Sequence, residues 1–439
     1  MPERHPTVGF VLKGYPRRSE LFIAGEIWRL EQLDVPLRLY VLKGPDETEH
    51  HEVVDRIRAV PRYLPDTTSL SGTTLGSWLG ENLGAFRPAL RAVARRHPVG
   101  LARALSAAAA QSLRARHGWR PKTLYVKELL QAVALAAELD RDGDVASLHA
   151  HFAHGTTTVT WLAATICGVP FSFTGHAKDI YRESLNPAGL LGRKLQAAEF
   201  VATCTRANVE HLRRVAPEAR VHLVYHGLNP DFAALLEAEQ HTGPAHGPGR
   251  PAPARLVSVG RQVPKKGFDV LLRALALLRD RGVDVEAVIV GETGDATPQV
   301  RRLVADLGLD DLVELRGPCG QPELLALYRS ATVLALACRV ADDGDRDGIP
   351  NVLVEAMAAG LPVVSTAVSG IPELVRHEES GLLVPPEDPD ALAGAIARLL
   401  GDDDLRTRLA RQGREDVTHG FDPVANARRM AGLLEGAVR

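Results

Sequence analysis

The sequence has few of the features that mark secreted, membrane-spanning or metal-binding proteins. Aromatic residues make up 5% of its 439 residues, and no apolar run reaches the roughly 18 residues that cross a membrane. The N-terminus lacks the apolar core and cleavage site of a signal peptide. We therefore expect a reduced, cytoplasmic protein. The four cysteines stand far apart with no Cys-x-x-Cys pair: Cys167, Cys204, Cys319 and Cys338.

The charge balance and two missing motifs argue against further classes of protein. Lys and Arg total 52 against 54 Asp and Glu, so a net charge of -2 gives no reason to expect nucleic acid as the main partner. The absence of G-x-G-x-x-G and P-loop motifs argues against nicotinamide, flavin and P-loop nucleotide enzymes. The composition is 45% hydrophobic and 24% charged, which is typical of a globular protein, and the length favours two domains.

Short apolar runs alternate with helix-like stretches on both sides of one irregular segment. Residues 8–12 and 37–41 are predicted strands around a helix from Glu20 to Leu33, and residues 145–180 repeat the pattern. Residues 236–254 gather Gly, Pro and Ala, which is typical of a linker. Continuous apolar strands between helices predict parallel sheets covered on both faces. We predict four segments: a domain at 1–240, a linker at 241–253, a domain at 254–415 and a C-terminal helix at 416–439.

The stretch SVGRQVPKKGFDV predicts an anion site. A strand ends at Gly260, the loop carries Arg261, Lys265 and Lys266, and a helix begins near Phe268. Cations beside a helix N-terminus attract phosphate groups, because the backbone N–H groups and the helix dipole add to the side-chain charge. The alternative interpretation is a solvated basic turn.

Within residues 344–375, the acids Asp347 and Glu355 are separated by seven residues at a predicted helix start. Gly348 can expose backbone N–H groups, Pro350 suits a first helical turn, and Asn351 can cap the helix. A carboxylate at Glu355 can accept hydrogen bonds from vicinal ribose hydroxyls, and one at Asp347 can hold sugar hydroxyls. The alternative is that both acids only match the helix dipole.

Together these motifs resemble the retaining glycosyltransferases of the GT-B fold, family 4. The resemblance covers nearly the whole chain, and its signature is the acid pair flanked by G-x-P and followed by E-A-M-A-x-G-x-P-V-V. It implies an α/β protein in which two Rossmann-like domains face an interdomain cleft with their parallel sheets. The first domain would bind the acceptor and the second the nucleotide sugar, with the last helix packing back towards the first domain.

The resemblance implies the residues of the donor site. Arg261 and Lys266 would hold the diphosphate, and Glu355 would bind the ribose. Asp347 stands where family members usually carry Glu, and it would hold the donor sugar. Gly370 and Glu373 lie in a segment near the nucleotide, with structural roles as the alternative. The remaining donor-binding positions are Gly14, Gly348, Ile349, Pro350 and Asn351.

In the first half, the stretch VPFSFTGHAKDIY resembles the segment that brings a histidine to the sugar. His176 is that position, and a structural histidine is the alternative. His149, His151 and His154 crowd the preceding strand end, but no acid or cysteine at a suitable spacing completes a metal site. We predict substrate contact or loop structure for His151.

The stretch LKGYPRRSELFI resembles the N-terminal loop that such enzymes place against donor and acceptor. Gly14 would allow a close backbone approach. Ser19 and Glu20 are candidates for acceptor contact, although Glu20 equally suits a helix N-terminus.

The reaction implied is transfer from a nucleotide-diphosphate sugar, with UDP-sugar favoured, to a small-molecule, glycan or lipid-linked acceptor. His176, Asp347, Arg261 and Lys266 would be the catalytic residues. We expect no metal and no other cofactor, because the cations can neutralise the diphosphate. The Asp-x-Asp patterns at residues 343–347 are predicted to be solvated or acceptor-facing. A nucleotide-sugar epimerase, a pseudosugar transferase of the same fold and a non-catalytic sugar-binding protein remain alternatives.

Residues 85–122 form an Ala-rich, predicted helical segment with nine basic residues and no Asp or Glu. This asymmetry indicates either a solvated face or a surface for an anionic acceptor or a membrane. Peripheral contact with a membrane is therefore an alternative to a purely cytoplasmic location. Five apolar residues have the spacing of a core-facing stripe: Leu90, Val93, Leu101, Leu105 and Leu113.

Overall fold

A computed structural model describes residues 7–17, 20–44, 50–70, 72–116, 120–239 and 254–438. The predicted linker at 241–253 and the candidate Ser19 lie outside the described residues. The chain divides into two compact units. The first consists of Met1–Cys204, Asn208–Val224 and Val424–Arg439, and the second of Thr205–Ala207 and Tyr225–Pro423.

The first unit contains a seven-stranded sheet with the strand order β3-β2-β1-β4-β5-β6-β7 and parallel pairing throughout. The strands are β1 (Thr7–Leu12), β2 (Leu37–Val41), β3 (Pro61–Tyr63), β4 (Val145–His151), β5 (Phe171–Gly175), β6 (Val201–Thr203) and β7 (Val221–Leu223). The helices are α1 (Leu21–Gln32), α2 (Glu52–Asp55), α3 (Leu75–Arg96), α4 (Pro98–Arg114), α5 (Leu124–Asp142), α6 (Gly155–Cys167), α7 (Lys178–Tyr181), α8 (Leu190–Ala197), α9 (Arg206–Val215), which belongs to this unit from Asn208, and α18 (Pro423–Gly436), which belongs to it from Val424.

The second unit contains a six-stranded parallel sheet with the order β10-β9-β8-β11-β12-β13. The strands are β8 (Ala254–Val259), β9 (Val285–Val290), β10 (Val313–Arg316), β11 (Val333–Leu336), β12 (Val363–Thr366) and β13 (Leu382–Val384). The helices are α10 (Pro230–Glu239), α11 (Phe268–Asp280), α12 (Thr297–Asp306), α13 (Gln321–Ser330), α14 (Asn351–Ala358), α15 (Ile371–Leu374), α16 (Pro389–Gly401) and α17 (Asp403–Gly420).

The two parallel, Rossmann-like sheets that the apolar runs predicted are confirmed. The helix expected within the repeated pattern at residues 145–180 is present as α6, and Gly168 ends it in the left-handed conformation that glycine adopts readily. The chain enters the second unit before the predicted linker, because Phe232 and Leu236 of α10 pack into the core with β8 and β11. Among the described residues, no helix combines the length and apolarity needed to cross a membrane.

The predicted helical segment at 85–122 is confirmed as the end of α3 and all of α4, within its described residues. Its predicted core stripe is only partly correct. Val93 is buried, and Leu90 and Leu101 pack against the core, whereas Leu105 and Leu113 are 49% and 57% exposed. The buried face of α4 is instead formed by small residues such as Ala104 and Ala108, which let α4 approach its neighbours.

The strand order of the second sheet reverses between β8 and β11, so the loops that follow these two strands diverge around one crevice. Gly267 brings the two loops together. It has a positive φ of 63°, and a Cβ atom there would lie 1.8 Å from the carbonyl oxygen of Ala337, just after β11. Only glycine combines this conformation with such a close backbone approach.

We predict that Gly267→Ala destabilises the second unit by about 2–4 kcal/mol, because the new methyl group must push the two loops apart. The matched control is Gly282→Ala, where φ is 72° but nothing lies within 4 Å of the added Cβ. This control carries the backbone strain alone and should cost about 1 kcal/mol. Equal losses in thermal unfolding for the two variants would contradict the steric argument.

Candidate active site

The loop after β8 holds two lysines against an acid from the loop after β11. The Nζ atom of Lys266 lies 2.8 Å from Asp347 Oδ2, and that of Lys265 lies 3.1 Å from Asp347 Oδ1. Lys265 also pairs with Asp345 at 3.2 Å. These four side chains are largely buried, with exposures between 13% and 18%. The two sequence motifs, 80 residues apart, therefore form one site.

Burial and the ion pairs act in opposite directions on this cluster. Burial by itself would raise the pKa of Asp347, but the Lys266 and Lys265 ammonium groups outweigh it and hold that pKa well below its usual range. Burial would likewise lower the pKa of Lys266, and Asp347 reverses the effect so that the pKa is raised. Lys266 and Asp347 are therefore charged at neutral pH.

The Asp-rich loop is not solvated in the way the sequence analysis predicted. Asp345 is mostly buried and paired with Lys265, and its backbone N–H donates to the carboxylate of Asp343. The prediction of a solvated loop was therefore wrong for Asp345, because it treated the loop without its basic neighbours from β8. Asp343 is exposed, and the acceptor-facing alternative stays a prediction. Arg339 fixes that neighbouring loop, since its Nε donates to the carbonyl of Pro264 and its backbone N–H to that of Lys265.

The predicted helix start after Asp347 is confirmed as α14, but the prediction that Asn351 caps it was wrong. Pro350 occupies the cap position, Asn351 is the first helical residue, and no side chain caps the helix. Gly348 and Ile349 form the turn before it and are half-buried. The uncapped N-terminus leaves backbone N–H groups for a ligand.

Glu355 lies one turn into α14 and is 5% exposed. Its described hydrogen-bond partner is the hydroxyl of Tyr328 on α13, which donates to Oε2 at 3.3 Å. Burial raises the pKa of Glu355 to about 7, despite the lowering effect of the Tyr328 hydrogen bond. Sequence analysis missed Tyr328, because a tyrosine within an apolar helix gives no sign of what its hydroxyl contacts.

The other donor-site candidates of the second unit have less distinctive surroundings. Arg261 follows the end of β8 and is exposed. Glu373 accepts hydrogen bonds from the backbone N–H groups of Arg206 and Ala207 and from the hydroxyl of Tyr225. Gly370 packs so closely that a Cβ there would lie 2.4 Å from Thr205 Cγ2. These contacts favour the structural alternative for Gly370 and Glu373.

In the first unit, His176 follows the end of β5 and His151 ends the adjacent strand β4. His151 Nδ1 lies 3.5 Å from His176 Nε2, and its Nε2 lies 3.2 Å from a carboxylate oxygen of Glu26. The rings of Phe22 and Phe152 flank His176, with centroids at 4.8 and 4.7 Å. Sequence analysis missed Glu26, which sits on α1 among apolar residues.

His149 is a structural histidine. It is fully buried, and its ring nitrogens lie 2.8 Å from the hydroxyl of Ser172 and 3.0 Å from that of Thr174. Burial lowers its pKa to about 3, so the ring is neutral. Glu26, His149 and His151 offer metal-binding atoms within 4.8 Å of one another, but we assign them to hydrogen bonding because both His149 nitrogens already meet hydroxyl groups.

The N-terminal loop candidates lie between β1 and α1. Gly14 is buried, and a Cβ there would meet the flexible side chain of Arg17 at 3.2 Å. Glu20 occupies the cap position of α1, but its carboxylate pairs with Arg17 at 3.1 Å instead of capping the helix. Burial raises the pKa of Glu20 against the opposing effect of Arg17.

Residues 253–402 match the sequence model of the family described as glycosyl transferases group 1. This segment is therefore similar to that family. It contains the lysine loop and the acid pair Asp347 and Glu355, so the family match falls on the residues that form the site in the second unit.

Two relatives of this chain have names that describe glycosyltransferases. The amylovoran biosynthesis glycosyltransferase AmsK of Erwinia amylovora is 39% identical over 220 residues, which are 50% of this chain and 51% of that protein. A GDP-mannose-dependent alpha-(1-6)-phosphatidylinositol monomannoside mannosyltransferase of Mycobacterium tuberculosis is 32% identical over 252 residues, 56% of this chain and 63% of that one. The chain therefore matches less than two thirds of the length of either relative.

Among solved structures, Anabaena HepE in complex with UDP and glucose has a TM-score of 0.65 at 17% identity. The alignment covers 98% of this chain and 100% of that one. At this identity the likeness concerns the fold, and it confirms the GT-B fold class that the sequence resemblance implied.

Glu355 predicts a pH-dependent effect on stability. Its pKa is raised in the folded state, so its ionisation costs stability as pH rises above the unfolded value and through about 7. Glu355→Gln should therefore raise the free energy of unfolding by about 3 kcal/mol at pH 8 and leave it nearly unchanged at pH 4. Denaturant unfolding at both pH values measures this difference, and an equal shift at the two would contradict it.

Proposed function

We propose that this chain is a glycosyltransferase that moves a sugar from a nucleotide-diphosphate sugar to an acceptor hydroxyl with retention of the anomeric configuration. The observation that carries the proposal is the buried cluster of Lys265, Lys266 and Asp347 beside α14, at the switch point of the second sheet. Ligands of open parallel sheets bind at such points, beyond the carboxyl ends of the strands.

The diphosphate is assigned to the lysine loop. Lys265 and Lys266 supply two ammonium groups, Arg261 a third cation, and the uncapped start of α14 its free N–H groups. Negative charge grows on the diphosphate as the bond to the sugar breaks, so these groups stabilise the transition state more than the ground state. The cations take the role that a metal has in other diphosphate sites, and the proposal requires no metal or cofactor.

The ribose is assigned to Glu355 and the transferred sugar to Asp347. The buried carboxylate of Glu355 accepts a hydrogen bond from Tyr328 and has further acceptor positions, to which two vicinal hydroxyls could donate. Gly348, Ile349, Pro350 and Asn351 line the approach with backbone groups. The UDP bound to HepE supports a UDP-sugar as the donor of this chain. The name of the mycobacterial relative makes GDP-mannose a second donor to test.

Binding of the acceptor, a small molecule, glycan or lipid-linked sugar, is assigned to the first unit. His176 is proposed to act on the transferred sugar, with His151 as its neighbour. Gly14, Ser19 and Glu20 are proposed to meet donor or acceptor from the N-terminal loop. The sequence resemblance supports these roles, and the hydrogen-bond geometry supports the pairing of the two histidines.

The test is release of nucleoside diphosphate and formation of a glycosylated product from a panel of UDP- and GDP-sugars with candidate acceptors, with and without EDTA.

We predict that Lys266→Ala lowers kcat/KM by about 30- to 1,000-fold, equivalent to about 2–4 kcal/mol. His176→Ala should lower turnover with the fold intact. Arg273→Ala, an exposed cation on α11, is the matched control. Binding of a donor without formation of product would favour a sugar-binding protein. An unchanged kcat/KM for Lys266→Ala would show that Lys266 has no part in the mechanism.

We further propose that the helices α3 and α4 contact an anionic membrane surface. In the segment 85–122, Lys122 is half-buried and eight arginines are exposed. These arginines are Arg87, Arg91, Arg95, Arg96, Arg103, Arg114, Arg116 and Arg120. Val99, Leu105 and Leu113 are exposed on the same side of α4 at 3.6 residues per turn. Basic charge beside exposed apolar side chains suits the interface of an anionic bilayer.

We predict that the protein co-sediments with vesicles of anionic phospholipid at low salt and is released by high salt, since each basic residue near the surface contributes about 1 kcal/mol. Combined Arg91→Glu, Arg95→Glu and Arg103→Glu changes should abolish sedimentation. Arg301→Glu with Arg302→Glu, an exposed pair on α12, is the control. Failure to sediment at low salt would leave a solvated helical face as the interpretation.

A further inference from the structure

The first unit contains a buried lysine that none of the assignments above uses. Lys194 on α8 is 0% exposed, yet its ammonium group is fully satisfied. Its Nζ donates to the carbonyl oxygens of Ala153 at 2.8 Å and His154 at 3.3 Å, and to Oδ1 of Asn186 at 2.9 Å. An ammonium group has three N–H donors, so the three acceptors use all of them.

Asp179 holds the same loop from the other side. Its buried carboxylate accepts hydrogen bonds from the backbone N–H of Ala153 at 2.6 Å and from that of His176 at 3.1 Å. Asn186 closes the network, because its Nδ2 donates to the backbone carbonyl of Asp179 at 2.8 Å. The loop after β4 and the loop after β5 are therefore tied to each other through buried charged groups.

The loop after β4 needs this restraint. Phe152, between His151 and Ala153, has a φ of 72°, a left-handed conformation that costs about 1–3 kcal/mol for a bulky side chain. The conformation turns the chain so that Ala153 directs its N–H to Asp179 and its carbonyl to Lys194. It also places the Phe152 ring 4.7 Å from the His176 ring.

We propose that Lys194 and Asp179 are positioning residues that hold the strained turn at Phe152 and thereby fix the distance between the His151 and His176 rings. The proposal rests on the proposed function, in which His176 acts on the transferred sugar. Both side chains are buried, so they act through the backbone of the two loops.

The cost of the network supports a role beyond packing. Burial lowers the pKa of Lys194, against the opposing effects of Glu128 and Asp179, and burial raises the pKa of Glu128 on α5. Buried charges of this kind are commonly replaced by apolar residues with no loss of stability. Keeping them here provides directional hydrogen bonds to carbonyl groups, which an apolar side chain could not supply.

The test separates positioning from stability with a charge-balanced pair of variants. Lys194→Met removes the loop anchor and leaves Glu128 uncompensated, so both the thermal midpoint and kcat should fall. Adding Glu128→Gln removes the excess charge. We expect the double variant to recover most of the thermal midpoint while kcat stays at least tenfold below wild type and donor Kd changes by less than twofold.

A second readout does not depend on activity. The ring ¹⁵N signals of His151 and His176, identified by difference with His151→Gln and His176→Gln, should shift in the double variant because the rings lose their fixed geometry. Asn186→Ala removes one acceptor of Lys194, so it should shift the same signals by less and lower kcat about threefold. This variant replaces the Lys194 variants in the test if those do not fold. Asn82→Leu, at a buried polar site of the same unit bonded to Thr68 and Trp78, should lower the thermal midpoint without moving these signals.

The outcomes are distinguishable from failure of the proposed function. If no donor and acceptor give product with the wild-type protein, the proposed function fails, while shifted ring signals still support the positioning role. A double variant with wild-type kcat and unchanged ring signals would overturn the proposal, because Lys194 would then serve only to balance the charge of Glu128.

Discussion

The site in the second unit depends on a close contact between two stretches of backbone. Gly267, at the start of α11, approaches the carbonyl of Ala337 so closely that no side chain fits between them. This approach brings the lysine loop within ion-pair distance of Asp347, whose loop begins where β11 ends. The charges decide what binds there, but they meet only because the loops that follow two adjacent strands are held together at Gly267.

Local sequence patterns predicted the sheets and the acid pair because these depend on near neighbours. The strands β4, β5 and β8 are rich in apolar residues and buried over most of their length, as strands covered on both faces should be. The errors arose where a distant segment decides the outcome. Asp345 was predicted to be solvated or acceptor-facing, and its burial against Lys265 was not foreseen because Lys265 lies 80 residues earlier. Leu105 was assigned to a core that small alanines fill instead.

The first unit shows the same limit more strongly. His176 could be singled out because its surrounding stretch resembles a known segment, but nothing near Lys194 in the sequence distinguishes it from a surface lysine of a short helix. The role proposed for Lys194 becomes apparent only in the structure, where Lys194 bonds to the loop after β4 and Asp179 bonds to the loops after both β4 and β5. A histidine site held by buried charges is therefore partly encoded outside the motif that identifies it.

The pairing of Lys265 and Lys266 with acids gives those acids a role before any donor binds. Two ammonium groups held together and mostly buried would repel each other and lose hydration, a cost that an opposite charge offsets. Asp345 and Asp347 supply two negative charges, which matches the charge of the diphosphate that we assign to the same lysines. Under the proposed function, donor binding would exchange one set of ion pairs for another. Asp347 would then be freed to meet the sugar only when phosphate replaces it on Lys266.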